Sequence, residues 1–157
     1  MAGEKHIDLA VVKLQAFLNS NLPAKLRAVE SAQSLSSNAL TDPVEVIAYR
    51  APFDNRSPLV EVFDQGWDFV HQRENLIAVD CTVALNFISD ANLAGAEQFM
   101  RRYVTALIDT LQSDTTLGSS VVTTILRDGS SDVARGSDST TRYVYTQGVE
   151  IHVHAGA

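Results

Sequence analysis

One cysteine, Cys81, stands in a chain of 157 residues. No internal disulfide framework can staple such a fold, and the scarcity suits a reducing cytoplasm. No apolar run approaches the ~20 residues that span a bilayer, so no membrane partner is expected. The opening MAGEKHIDLA lacks the apolar core of a signal peptide, and secretion is not expected either. Lysine stops at Lys25: after Lys5, Lys13 and Lys25 every basic residue is one of nine arginines. Arginine's planar fork pairs with carboxylates and is favoured over lysine at protein interfaces. Basic charge is short overall, 12 against 19 acidic residues for a net −7. That balance argues against a protein that grips nucleic acid by neutralising phosphates. A glycine-rich phosphate loop, a nucleophile elbow, a paired-cysteine zinc motif and internal repeats are all absent.

The length fits one domain with a substantial core, and 45% hydrophobic residues are ordinary for a globular protein. Residues 6–19, HIDLAVVKLQAFLN, carry Ile7, Ala10, Val11, Leu14, Phe17 and Leu18 at helical spacing. Asn21-Leu22-Pro23 predicts its end, because a residue before proline is pushed out of the helical region. LPAKLRAVESAQ suits a short second helix, and residues 34–43 read as a loop. Strands are predicted over Val44–Tyr49 and, after Pro58, over Leu59–Phe63. Ile77, Val79, Cys81, Val83, Leu85 and Phe87 alternate with Ala78, Asp80, Thr82, Ala84 and Asn86. Strict period-2 alternation marks a strand with one apolar and one wetter face. It puts Cys81 among buried hydrophobes.

After Asp90, a candidate N-cap, the period changes to three and four. Leu93, Ala96, Met100, Tyr103, Val104, Leu107, Ile108 and Leu111 form the apolar stripe of a helix of about six turns. Thr116-Leu117-Gly118 closes it and leads into a strand over Val121–Leu126. Residues 128–141, DGSSDVARGSDSTT, have Val133 as their one sizeable apolar residue and are predicted to be a mobile loop that orders in an assembly. In the last strand, Arg142–His154, one face carries Tyr143, Tyr145, Val149, Ile151 and Val153. The predicted class is α+β: a mainly antiparallel sheet of four to five strands, with an N-terminal helix and one long helix packed on it. The whole of 1–157 is a single domain.

His152 and His154 share a strand face with Glu150, a spacing that could supply two or three metal ligands. His6 and His71 sit in no ligand-spaced motif, so the pair reads as exposed sheet or subunit-contact histidines. Asp64, Asp68 and Glu74 surround Gly66-Trp67, which suits a charged hairpin turn with a partly buried tryptophan better than an acid/base pair. Arg101 and Arg102 diverge by ~100° on a helix and form no phosphate clamp; they suit a solvated edge or a subunit contact. No enzyme and no cofactor are expected. The residues assigned to a subunit or partner interface are Arg101, Arg102, Arg127, Asp132, Val133, Arg135 and Arg142.

The succession of pieces resembles the tail terminator, or tail completion, proteins of long-tailed bacteriophages. The matching stretches are FLNSNLPAKL, SPLVEVF, VDCTVALNFISDANLAGAEQFMRRYVTALIDTL, SDTTLGSSV and TRYVYTQGVEIHVHA. The resemblance covers most of the chain and rests on pattern and order, with no catalytic signature in it. It implies an α+β protomer that closes into a hexameric ring on the head-proximal end of the tail tube, in the virion after assembly in the host cytoplasm. Its partners would be further copies of itself, the tube protein and a head-completion or connector protein. DNA would pass through without tight binding. Related neck and head-tail joining proteins fit the same pattern. Two readings from the residues alone stay open: a small cytoplasmic ligand-binding or regulatory domain, dimeric and using the wet sheet face, and a divalent-metal enzyme built on Glu150, His152 and His154.

Overall fold

The structure, a computed structural model, describes residues 7–51, 55–70, 73–89, 93–135 and 140–154. In chain order the elements are α1 (Ile7–Ala32), β1 (Glu45–Ile47), β2 (Leu59–Val70), β3 (Arg73–Ser89), α2 (Leu93–Ser113), β4 (Thr123–Arg135) and β5 (Thr141–His154). One sheet holds all five strands in the order β1-β2-β3-β5-β4. Only the β1–β2 pair is parallel; the other three are antiparallel. The class is α+β, as the sequence predicts. No helix among the described residues is long and apolar enough to cross a membrane.

The expected break at Pro23 does not occur, and α1 runs through the proline to Ala32. Leu14, Leu18, Leu22 and Leu26 recur every fourth residue, and all four are fully buried. The expected short second helix is the continuation of α1; a separate helix after a break would take Leu26 and Val29 out of register with the Leu14–Leu22 stripe. Burying each returns about 1.5–3 kcal/mol, which together offsets the ~3 kcal/mol cost of a proline inside a helix. Tertiary packing overrides the local signal.

The helices share one face of the sheet. Ala96, Met100, Tyr103, Ala106, Leu107 and Leu111 of α2 join the α1 stripe over Val60, Val62, Val79, Val83, Leu85, Tyr143, Val149 and Ile151. The alternation in β3 is legible here: its odd-numbered residues from Ile77 to Leu85 all enter this core. Cys81 is 2% exposed among them, and burial, with Asp64 and Asp80 nearby, pushes its thiol up to about 12. It is a buried hydrophobe in practice. Asp90, the candidate cap, lies outside the described residues.

The largest departure is at residues 128–135. They are strand, not loop: β4 continues to Arg135 and pairs with β5 through Arg135↔Thr141. Residues 127–134 are all exposed. Low hydrophobicity therefore marks an outlying hairpin arm, whose backbone is satisfied by its partner strand although its side chains stay wet. The remaining part of the predicted loop, residues 136–139, lies outside the described residues.

Carboxylates fasten the turns after each helix. Glu30 accepts the amides of Asn38 (3.1 Å) and Leu40 (2.7 Å), and Arg27 stands 2.9 Å from it. Burial pushes the Glu30 carboxyl up, but the amides of Leu40 and Asn38 and the Arg27 guanidinium outweigh this and hold it below its ordinary 4.5. After α2, Asp114 accepts the hydroxyl of Thr116 at 2.6 Å and the amides of Thr116 and Gly118, which hold it below its ordinary 3.8. Lowered values mean stability present above the unfolded pKa and lost as pH falls through the folded one. The unfolding midpoint is expected to be level above about pH 5 and to fall steeply below about pH 4. Glu30→Gln should flatten that fall. A midpoint unchanged from neutral pH down to about pH 3 would overturn the assignment.

Candidate functional site

The face of the sheet opposite the helices is closed at one end and open at the other. Ile47, Leu59, Glu61, Ala84 and Asn86 lie on it and are buried. Because β1 and β2 are parallel, the chain between them must return along the sheet, and Ser57 Oγ there accepts the Ile88 amide at 2.9 Å. Toward the other end Asp80 is exposed and stands opposite Glu150, which in turn stands opposite Ile125. A shallow depression of about 380 Å³ opens here, lined by Gln65, Asp80, Thr82, Arg127, Asp128 and Glu150.

Three groups at this depression, Arg127, Glu150 and His152, are engaged with one another. Glu150 accepts Arg127 at 2.6 Å and contacts His152 Nε2 at 2.7 Å. Burial pushes the Glu150 carboxyl up, but the bonds from His152 and Arg127 prevail and keep it lowered. Glu150 raises Arg127 in return, by hydrogen bond and by charge. His154, two residues on, is exposed. Among the described residues no three metal-ligating side chains converge. Such a cluster holds β4 against β5 through side chains where the backbone ladder is interrupted, between Leu126 and Gly129. Gly148 fits tightly beneath it: a Cβ there would meet Arg127 Cβ and the Asp128 carbonyl at 3.1 Å each, so both neighbours would have to give by a few tenths of an ångström.

The residues assigned to an interface fall in three places. Arg127 is in the depression. Arg101 and Arg102 are on α2: Arg101 is exposed beside Glu97 (3.5 Å), and Arg102 Nε donates to Gln33 Oε1 at 2.6 Å, tying α2 to the end of α1. Asp132, Val133, Arg135 and Arg142 come together on the β4–β5 arm, with Ala134 opposite Arg142, Val133 opposite Tyr143 and Arg135 opposite Thr141. Val133 is 44% exposed. His6 and His71 lie outside the described residues.

Sequence reasoning missed a second group. Asp64, Gly66, Trp67 and Asp68 are not in a turn; β2 extends through them to Val70 and pairs with β3 throughout. Trp67 and Phe69 are each 59% exposed, so the tryptophan is not partly buried but outward. Across the sheet Val122 and Ile125 are exposed as well. The signal was present in WDFV, where Trp67 and Phe69 alternate with Asp68. The acidic residues around Gly66 concealed it. No protein-family model matches the sequence, and no curated protein matches it.

Proposed function

We propose that the protein is a structural ring component of a phage tail. Like the tail terminators it resembles in sequence, it would cap the tube, stop its growth and offer a surface for head attachment. One observation carries this reading: the sheet leaves large apolar side chains exposed on its outer strands. Trp67, Phe69, Val122, Ile125 and Val133 face outward, whereas Glu150, His152 and Arg127 are consumed in mutual pairs. Large apolar residues at strand edges favour protein contacts. Six copies at −7 each carry 6 × −7 = −42 formal charges. An acidic ring lets DNA slide instead of retaining it by counterion release.

Native mass spectrometry of the free protein and microscopy of tails carrying it test the reading. A cyclic assembly, six copies in number, is expected in solution or at the tube end. A monomer or dimer in both settings overturns it.

A further inference from the structure

We propose that copies of this chain associate head to tail by joining two open sheet edges, β4 of one copy against the distal half of β2 in the next. The sheet has an open edge on each side. β1 covers β2 only at Leu59–Glu61, and residues 48–50 run beside Phe63–Gln65. That leaves Gly66–Val70, paired with β3 on its inner side, with no strand on its outer edge among the described residues. On the other side β4 is the last strand of the order, and nothing described pairs with its outer edge. Neither GWDFV (66–70) nor VTTIL (122–126) contains the proline or lysine that usually guards an edge.

These edges suit each other in polarity, level and chemistry. Three antiparallel steps separate β2 from β4, so β4 of one copy meets β2 of a like-oriented copy antiparallel. Trp67 pairs with Val79, Val79 with Ile151 and Ile151 with Thr124, which puts Trp67 and Thr124 at one level of the sheet. Phe69 and Val122 sit a step further on at the same end. Both edge strands also bulge at a common level, that of Asp64, Cys81, Val149 and Leu126, so they bend together. Trp67 and Phe69 at one edge and Val122 and Ile125 at the other are the exposed large hydrophobics of that end, Ile125 on the sheet face opposite that of the two aromatics. A two-fold contact of β4 with itself would leave the aromatic edge uncovered. A head-to-tail contact covers both edges and can repeat until it closes. The inference rests on the ring reading only for the number of copies.

Replacing Phe69 by the photo-crosslinking benzoylphenylalanine tests it, since an aromatic stays aromatic there. After irradiation of protein shown by native mass to be assembled, peptide mapping should find adducts to residues 121–127 of another copy. The paired substitution Val122→Lys and Ile125→Lys should preserve the circular dichroism and melting of the protomer and weaken association at least tenfold. Rings whose adducts map elsewhere overturn this interface and leave the ring reading standing. Adducts between two 66–70 segments overturn it in favour of a two-fold contact. Adducts to a tube protein alone overturn it in favour of a different partner, and a chain that stays monomeric free and at tube ends overturns both readings.

Discussion

Leu26→Ala is expected to cost about 2–5 kcal/mol, as much as Leu18→Ala on the near side of the proline. Both side chains are fully buried, and each truncation removes transferred surface and leaves a cavity that a close-packed interior cannot fill. Domain stabilities of about 5–15 kcal/mol make such a loss decisive. If the helix stopped at Leu22 and a separate short helix followed, as the local sequence suggests, Leu26 would fall out of the Leu14–Leu22 stripe, and its truncation at an unburied position would cost under about 1 kcal/mol. Val12→Ala, at a position 40% exposed on the outer side of α1, is the control and should lie within about 0.5 kcal/mol of the parent. Pro23→Ala should act the other way. It restores an amide to the Asn19 carbonyl, partly offset by a freer unfolded chain, for a net gain of about 1 kcal/mol. Equilibrium denaturation of the four variants reads all of these. A small loss at Leu26 beside a large one at Leu18 would place the helix end at Pro23.

The elements that could be read from sequence are those whose burial follows a single period. β3 alternates over six apolar positions because one face meets the helices along the strand's length, and α2 repeats at three and four because it lies flat on that face. Where two physical demands compete, the sequence shows only one of them. Around Pro23 the local conformational cost is visible, and the four-residue leucine spacing that defeats it emerges only once a partner surface exists. In β4 the polarity of DGSSDVAR is visible, and the pairing with β5 that satisfies its backbone is not. Gly66 and its flanking carboxylates imitate a turn, yet β2 keeps its pairing with β3 as far as Val70 opposite Arg73. The candidate surfaces suffered most from this. Exposure of Trp67 and Phe69 depends on how far the helices extend over the sheet, a quantity with no local signature. Arg127, assigned to an interface from the sequence, has its guanidinium held by Glu150 of its own chain.

On the proposed ring reading, Val133→Asp is expected to leave folding nearly intact while abolishing function at the tube end. Val133 stands on β4 opposite Tyr143, 44% exposed, on a stretch whose neighbours Asp132 and Ala134 are exposed too. The change forfeits some strand propensity and little burial, so it should cost less than about 1 kcal/mol. The arm lies at the opposite end of the sheet from Trp67 and Phe69, beside the strand positions Phe87 and Tyr143. An assembly closed through the other end would therefore still present this arm to a partner. Val133 is the one exposed large hydrophobic side chain on the described part of this arm, and the buried centre of a protein interface is apolar and depleted of charge. Placing a carboxylate there desolvates a charge against that partner and sets it beside Asp132, which favours release. A loss of at least about tenfold in partner affinity is expected, equivalent to about 1.4 kcal/mol. Denaturation of the purified variant checks the first half. Microscopy of tails assembled with it checks the second, where overlong tubes or unjoined heads are expected. A variant that folds normally and still gives tails of normal length joined to heads would make Val133 an ordinary exposed strand residue and remove the arm from the interface.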